Sequence, residues 1–258
     1  MENISVPANL ELVVIASGIA ATAALIMIFL QMKKNVMGRG MFMAIGALSL
    51  YVCGVAQSLI MQSFAAYLTN DLVFAIVWVI LLMLFCLLCG YVVMGVIMKK
   101  NVEKQQGEYF GFGFAGMELI MTIFLGYFND YTILAAIRDG SIFQSEEFEA
   151  GTITLEQITN YLAAMRFDSI ILKALSFVLI VLLSIKLFGA LAAYIGENGD
   201  ISAVVIWSVI YALFWLALQT YILVALLANI AVIVYLLTEK FMPKRDVKVI
   251  DITPEGPK

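Results

Sequence analysis

The chain contains no histidine. That removes at once the commonest zinc ligand and the commonest general base at neutral pH. Charge is scarce too: Asp, Glu, Lys and Arg make up 13% of the 258 residues, against about 25% in a soluble globular domain. The cysteines number three, Cys53, Cys86 and Cys89, and all fall inside apolar runs, which argues against a disulfide framework. Cys86 and Cys89 have CxxC spacing, but in the middle of an apolar helix they read as small, soft packing residues. No basic run is long enough to engage a nucleic acid, and there is no internal repeat or low-complexity tract. Residues 1–7 lack a basic leader region and 8–30 is too long for a signal core, so the first apolar segment reads as a retained helix.

Hydrocarbon-compatible sequence fills the rest, at 63% hydrophobic residues. Several uncharged windows exceed the roughly 18 residues that a membrane helix needs. The fold class is therefore all-α, a polytopic membrane protein forming one integral-membrane domain over 1–258. The expected helices cover about 8–32, 41–66, 72–98, 109–128, 168–195, 201–218 and 220–238. The last two share an uncharged run from Ile201 to Thr238. As a single helix this run would be about 57 Å long, against a hydrocarbon core of roughly 30 Å, so a reversal near Gln219-Thr220 is expected. Seven spans place Lys33, Lys34, Arg39, Lys99, Lys100 and Lys104 on one side with the basic tail 239–258. The positive-inside rule makes that side cytoplasmic and puts the N-terminus outside the cell membrane. The acidic loop Gly196 to Asp200 then lies inside, against the trend.

Between the fourth and fifth spans, 129–167 is an acidic extramembrane segment. Within it Thr154 and Gln157 form a capping box, and Leu155, Ile158, Tyr161, Leu162 and Met165 make one apolar face. An amphipathic helix there is expected to lie at the interface or fold over the bundle.

Two ionisable residues fall within spans away from their ends, Glu118 and Lys173, with Lys186 nearer an end. A charge at membrane depth needs a partner or a cavity; Lys173 can reach inward to form an ion pair with Glu118 or snorkel outward as a lipid-facing, solvated residue. Gly111, Gly113, Ala115 and Gly116, just before Glu118, allow close helix approach. The alternating Phe110, Phe112 and Phe114 read as membrane packing.

The run Tyr109-Phe110-Gly111-Phe112-Gly113-Phe114-Ala115-Gly116-Met117-Glu118, following a basic turn and continuing to Tyr127-Phe128-Asn129-Asp130, resembles the YhfC-type family of intramembrane metalloproteases. That family is distantly similar to the CAAX-protease and bacteriocin-processing group, and the likeness extends loosely over most of the chain. It implies a protease-like bundle in a bacterial membrane, with metal ligands contributed by several helices. Laid on this sequence, the family's paired glutamates fall on Cys86 and Leu87 and its arginine on Gly90. Its fourth-helix histidine falls on Phe114 and its fifth-helix histidine near Lys173. Its last motif falls on Tyr211 to Trp215. Only Glu118 is kept. The resemblance thus implies a degenerate member without metal or other cofactor, whose core is built on Glu118, Lys173, Gly113, Gly116, Phe114, Tyr211 and Trp215. No residue is left as catalytic, Glu118 being the one retained candidate.

The leading functional expectation is a non-catalytic binding or scaffold subunit. Its partners would be the lipid bilayer and another membrane protein or a membrane-associated peptide. Two alternatives stand beside it: a divergent peptidase using Glu118, and a permease or transporter-associated subunit with Glu118 as a proton or cation site.

Overall fold

A computed structural model describes residues 6–7, 9–32, 35–64, 67–68, 70–97, 102–145, 148, 151–196, 199–220 and 222–241. The basic tail from 242 onward, Lys33, Lys34, Lys99, Lys100 and the acidic Glu146, Glu147, Glu149 and Glu197 lie outside them. The described residues form helices α1 (Leu10–Gln31), α2 (Arg39–Phe64), α3 (Asp71–Tyr91), α4 (Lys104–Leu119), α5 (Gly126–Asp139), α6 (Leu155–Ala164), α7 (Phe167–Ile195), α8 (Ile201–Thr220) and α9 (Ile222–Phe241). Wider π-type turns extend α3 through Val92–Ile97 and join α4 to α5 through Ile120–Leu125.

Local chemistry sets several of the ends. The Asn70 side chain accepts from the amides of Leu72 and Val73 at 3.0 and 3.2 Å and starts α3. A reciprocal box of Glu103 and Gln106 starts α4. The expected Thr154–Gln157 box opens α6: each residue's amide donates to the other's side-chain oxygen. Gly140, at φ 80°, closes α5 in the left-handed region that glycine tolerates.

Among the described residues six helical stretches are long and apolar enough to cross a membrane: Leu10–Gln31, Arg39–Phe64, Asp71–Val96, Lys104–Asp139, Phe167–Ile195 and Ile201–Gln219. A multi-pass membrane protein accounts for the outer surface as well. Leu12, Leu48 and Val96 are each more than 60% exposed, on faces that suit lipid and not water. The expected reversal in the last apolar run is present, with α8 ending at Thr220 and α9 starting at Ile222. Trp215 packs on Phe177 while Asn229 bonds the neighbouring Ser176. Two residues so far apart in sequence meet one level of α7 only if α8 and α9 run antiparallel.

The fourth span differs from its expected end at Phe128. It continues unbroken from Lys104 to Asp139, 36 residues, or about 54 Å at 1.5 Å per residue. Polarity rises after Phe128, but no helix-breaking residue appears before Gly140, so leaving hydrocarbon does not end the helix. The first 11 residues of the expected extramembrane segment, 129–139, thus continue the same helix as a rod. The amphipathic α6 folds onto it, with Ile158 buried and the Tyr161 hydroxyl donating to Asp130 at 2.8 Å. A second tie joins the rod's end to α1, where Arg138 meets Glu11 at 2.6 Å.

α4 is the axis of the bundle, packed chiefly between α7 and α2. Every residue from Tyr109 to Gly116 is buried. Glycines make this possible. A Cβ on Gly107 or Gly111 would run into the α7 carbonyls of Phe188 or Ser184. One on Gly113 would meet the Met43 carbonyl of α2, and one on Gly46 of α2 would meet the Phe110 carbonyl. The Ser184 hydroxyl then donates to the Gly111 carbonyl at 3.0 Å across the α4–α7 contact. Phe110 and Phe114 close the gap by packing on Phe188, with ring centroids 4.8 and 5.4 Å away. α1 covers α7 and α5, while α3, α8 and α9 complete the far side.

Candidate functional site

Glu118 sits in the last turn of α4, directly before the π-type turns. It lies one helical turn beyond Phe114, which is fully buried. Its side chain forms part of a groove of about 460 Å³ between α2 and α4, walled by Tyr51, Gly54 and Ser58 of α2 and by Met121 and Thr122. The residue is partly open to that groove, yet its Oε2 is buried and has no hydrogen-bond partner. Behind it stand Cys86 of α3 and Tyr211 of α8, both close enough to feel its charge. The Tyr211 hydroxyl, the Ser208 hydroxyl and the Trp215 indole N–H, all on α8, are likewise buried without partners.

The expected ion pair is not formed. Lys173 is exposed on α7, and no ion pair joins it to Glu118 among the described residues. The reason is register. Two cross-links, Ser184 to Gly111 and Tyr127 to Ile170, fix how α7 runs against the α4–α5 rod. By that register Glu118 lies level with the region near Val178. Lys173 is then about five residues away along the axis, roughly 7.5 Å at 1.5 Å per residue.

The remaining candidates divide by role. Phe114 is an aromatic packing residue against Phe110 and Phe188, and Gly113 is a contact point with α2. Gly116 is less crowded, with a Leu25 methyl 3.3 Å from where its Cβ would stand. Tyr211 and Trp215 are buried neighbours on α8, and Trp215 also packs on Trp78 and Phe177. The structure therefore gathers Glu118 and Tyr211, with Trp215 one turn further along α8, and leaves Lys173 outside.

These residues do not suit a metal ion. Among the described residues no three His, Cys, Asp or Glu side chains come together in a way that could hold one. The oxygen and sulfur side-chain groups around Glu118 are neutral thiols, phenols and the hydroxyls of Ser58 and Thr122, and a zinc site needs about three ligands in tetrahedral array.

Several polar ties escaped the sequence reading. Gln57, buried in α2, donates to the Trp78 carbonyl at 2.9 Å and so binds α2 to α3. Asn229, fully buried in α9, donates to Ser176 Oγ at 2.7 Å, while its Oδ1 has no partner. Glu108 lies near the charges of Lys104 and Lys186, and Lys186 also sits 5.7 Å from the Trp207 ring centre. An uncharged amide inside an apolar run was the available signal for Gln57 and Asn229, since such groups bond across membrane helices. Gly107, four residues before Gly111, was the overlooked member of the small-residue spacing.

Comparison with known proteins adds no relative: no family model, no curated protein and no solved structure matches the chain.

Proposed function

We propose that this chain is a non-catalytic binding or scaffold subunit, a protease-like bundle that holds a membrane-embedded peptide or a partner membrane protein without cleaving it. The observation that carries this reading is Glu118, a carboxylate within a membrane-spanning helix, beside a side groove, with no cation paired to it among the described residues. A bundle built for stability alone gains nothing from such a residue, because an unpaired charge at that depth is costly. Kinship with the YhfC-type proteases belongs to the same proposal. In it Glu118 is the retained motif residue, while Cys86, Phe114 and Tyr211 occupy former motif positions and fill the space with packing groups.

The finer topology is also proposed. α9 serves as a seventh span, the N-terminus lies outside a bacterial cell membrane, and the basic tail is cytoplasmic. The α5–α6 projection then stands outside as a docking element.

The test is purification of the tagged full-length chain from its native membrane in mild detergent. A membrane protein or peptide should co-purify near stoichiometrically and be lost with Glu118→Ala at unchanged yield. Peptide cleavage that Glu118→Gln abolishes, or stoichiometric zinc surviving chelation, would overturn the reading.

A second reading, a proton or cation site in a permease subunit, is favoured by the unpartnered hydroxyls of Tyr211 and Ser208 on α8. Unbonded buried polar groups of this kind suit ordered water. It requires pH-dependent transport in proteoliposomes that both Glu118→Gln and Tyr211→Phe abolish.

A further inference from the structure

We propose that the groove between α2 and α4 takes one transmembrane helix of a partner, and that this helix presents a lysine or arginine to Glu118. The proposal rests on the binding-subunit reading and names the chemistry of the occupant.

Three features converge at this groove. The first is charge: Glu118 forms part of its wall, and Oε2 lacks any partner. A basic residue delivered by a second helix removes the burial penalty of both charges together, which neither lipid nor an apolar helix can do. The second is room. Gly54 and Ser58 are spaced four apart on the exposed face of α2, and a Cβ on Gly54 would meet nothing within 4 Å. At its close helix crossings the bundle fills such positions: Gly46, Gly107, Gly111 and Gly113 are all pressed against backbone carbonyls. A small-residue pair at helical spacing with no helix against it is a vacant version of the same contact. The third is composition of the walls, where Tyr51, Val55, Leu59 and Met121 are large, apolar and exposed, and so suited to flank an inserted helix.

Two further grooves among the described residues lack this combination. One lies between α1, α2 and α4 beside Gly113 and Gly116, the other between α1 and α7 along Ala20, Ala24 and Ala174, and neither is lined by an ionisable side chain. A second copy of this chain is a poor occupant. Among the described residues its exposed lysine within a span, Lys173, stands on α7, and α7 is already packed on α1, α4, α8 and α9.

The probe is a single-span leucine-alanine peptide with one central lysine, reconstituted with the full-length chain in lipid nanodiscs. A matched peptide with leucine at the centre is the control. Contact is read as disulfide trapping between a cysteine in the peptide and Ser58→Cys, in a background where Cys53, Cys86 and Cys89 are replaced by alanine or serine. The lysine peptide should be trapped at least about tenfold more than the leucine peptide, a difference on the scale of one strong interhelical polar contact. Glu118→Gln should abolish the preference. Gly54→Ile, which fills the groove where nothing else is touched, should block trapping while leaving the melting temperature in place. Equal trapping of both peptides, or a lysine preference that survives Glu118→Gln, overturns the proposal. So does self-association that Lys173→Met abolishes, because it would give the groove to a second copy. A native partner that co-purifies but is indifferent to Gly54→Ile would likewise sink the groove assignment while leaving the binding-subunit reading intact.

Discussion

Replacing glycines along α4 by alanine should give stability losses that follow the local clearance and not helix propensity. On propensity alone every Gly→Ala change in a helix favours folding, by up to about 1 kcal/mol. The crossing with α2 reverses that sign at Gly113, because the new Cβ would fall on the Met43 carbonyl oxygen, part of a rigid helical backbone. The two helices must then separate by something near an ångström for an ordinary contact. A gap of that size forfeits a quarter to a half of each affected dispersion contact. Overpacking of this kind costs about 1–3 kcal/mol, and a clash with backbone, not with the end of a flexible side chain, puts Gly113→Ala at the upper end. Gly111→Ala should behave alike against Ser184, and it also strains the bond that Ser184 donates to the Gly111 carbonyl.

Gly116 and Gly54 are the internal controls. At Gly116 the nearest atom is a Leu25 methyl at 3.3 Å, the end of a flexible side chain, and at Gly54 nothing lies within 4 Å. Gly116→Ala should cost under about 1 kcal/mol, and Gly54→Ala should be neutral or stabilising by about 0.5–1 kcal/mol. Equilibrium unfolding in mixed micelles, followed by helical circular dichroism, reads the series. Because Gly46 and Gly113 share one crossing, the double change to alanine should cost less than the sum of the two singles. Near-equal stabilities for Gly113→Ala and Gly54→Ala would refute the close crossing and with it the central place of α4.

Three further outcomes follow from named contacts. Glu118→Gln and Lys173→Met should be additive to within about 0.5 kcal/mol in a double-mutant cycle, since no ion pair links them; a larger coupling in folding stability would restore the pair. Asn229→Leu should loosen α9 from α7 by about 0.6–1.7 kcal/mol, the range for hydrogen bonds between membrane helices, and Ser176→Ala added to it should cost little more. Tyr161 holds its proton more tightly when folded, because burial, the bond to Asp130 and the charge of Asp130 all raise its pKa. Its contribution is therefore complete below the ordinary tyrosine value of about 10 and is lost as pH rises beyond it. Hydrogen exchange of α6 should accelerate above that pH in the wild type, whereas Tyr161→Phe should exchange faster at pH 7 and show a flatter rise.

Features encoded within a few residues were legible. The Thr154–Gln157 box, the apolar face of α6 and the glycine run before Glu118 depend only on local spacing. So did the reversal at Gln219-Thr220, which follows from comparing a chain length with a bilayer thickness. Features set by register between helices were not. Glu118 and Lys173 both fall inside their spans away from the ends, so pairing them followed from depth and the cost of burial. Periodicity carries no information on how far α7 slides along α4; that is set by Gly107, Gly111 and Ser184 at one end and by Tyr127 and Ile170 at the other. The length of the fourth span was misjudged for a related reason. Hydropathy marks where hydrocarbon ends, whereas the helix ends where the backbone can turn, at Gly140.

The same sliding explains why a carboxylate is left over in an otherwise economical bundle. Several other polar groups within the helices have an answer inside the chain: Gln57 has the Trp78 carbonyl, Ser184 has Gly111, Tyr127 has Ile170, and Asn229 has Ser176, whereas Tyr211, Ser208 and Trp215 on α8 share the want of one among the described residues. Glu118 has the Cys86 thiol and the Tyr211 phenol near it and an open groove beside it. A carboxylate needed only to join α4 to α7 would stand in register with Lys173, and a shift of about five residues at either position would achieve that. A carboxylate out of register with Lys173, beside a groove and with no ion pair among the described residues, is the arrangement that the proposed partner helix would complete.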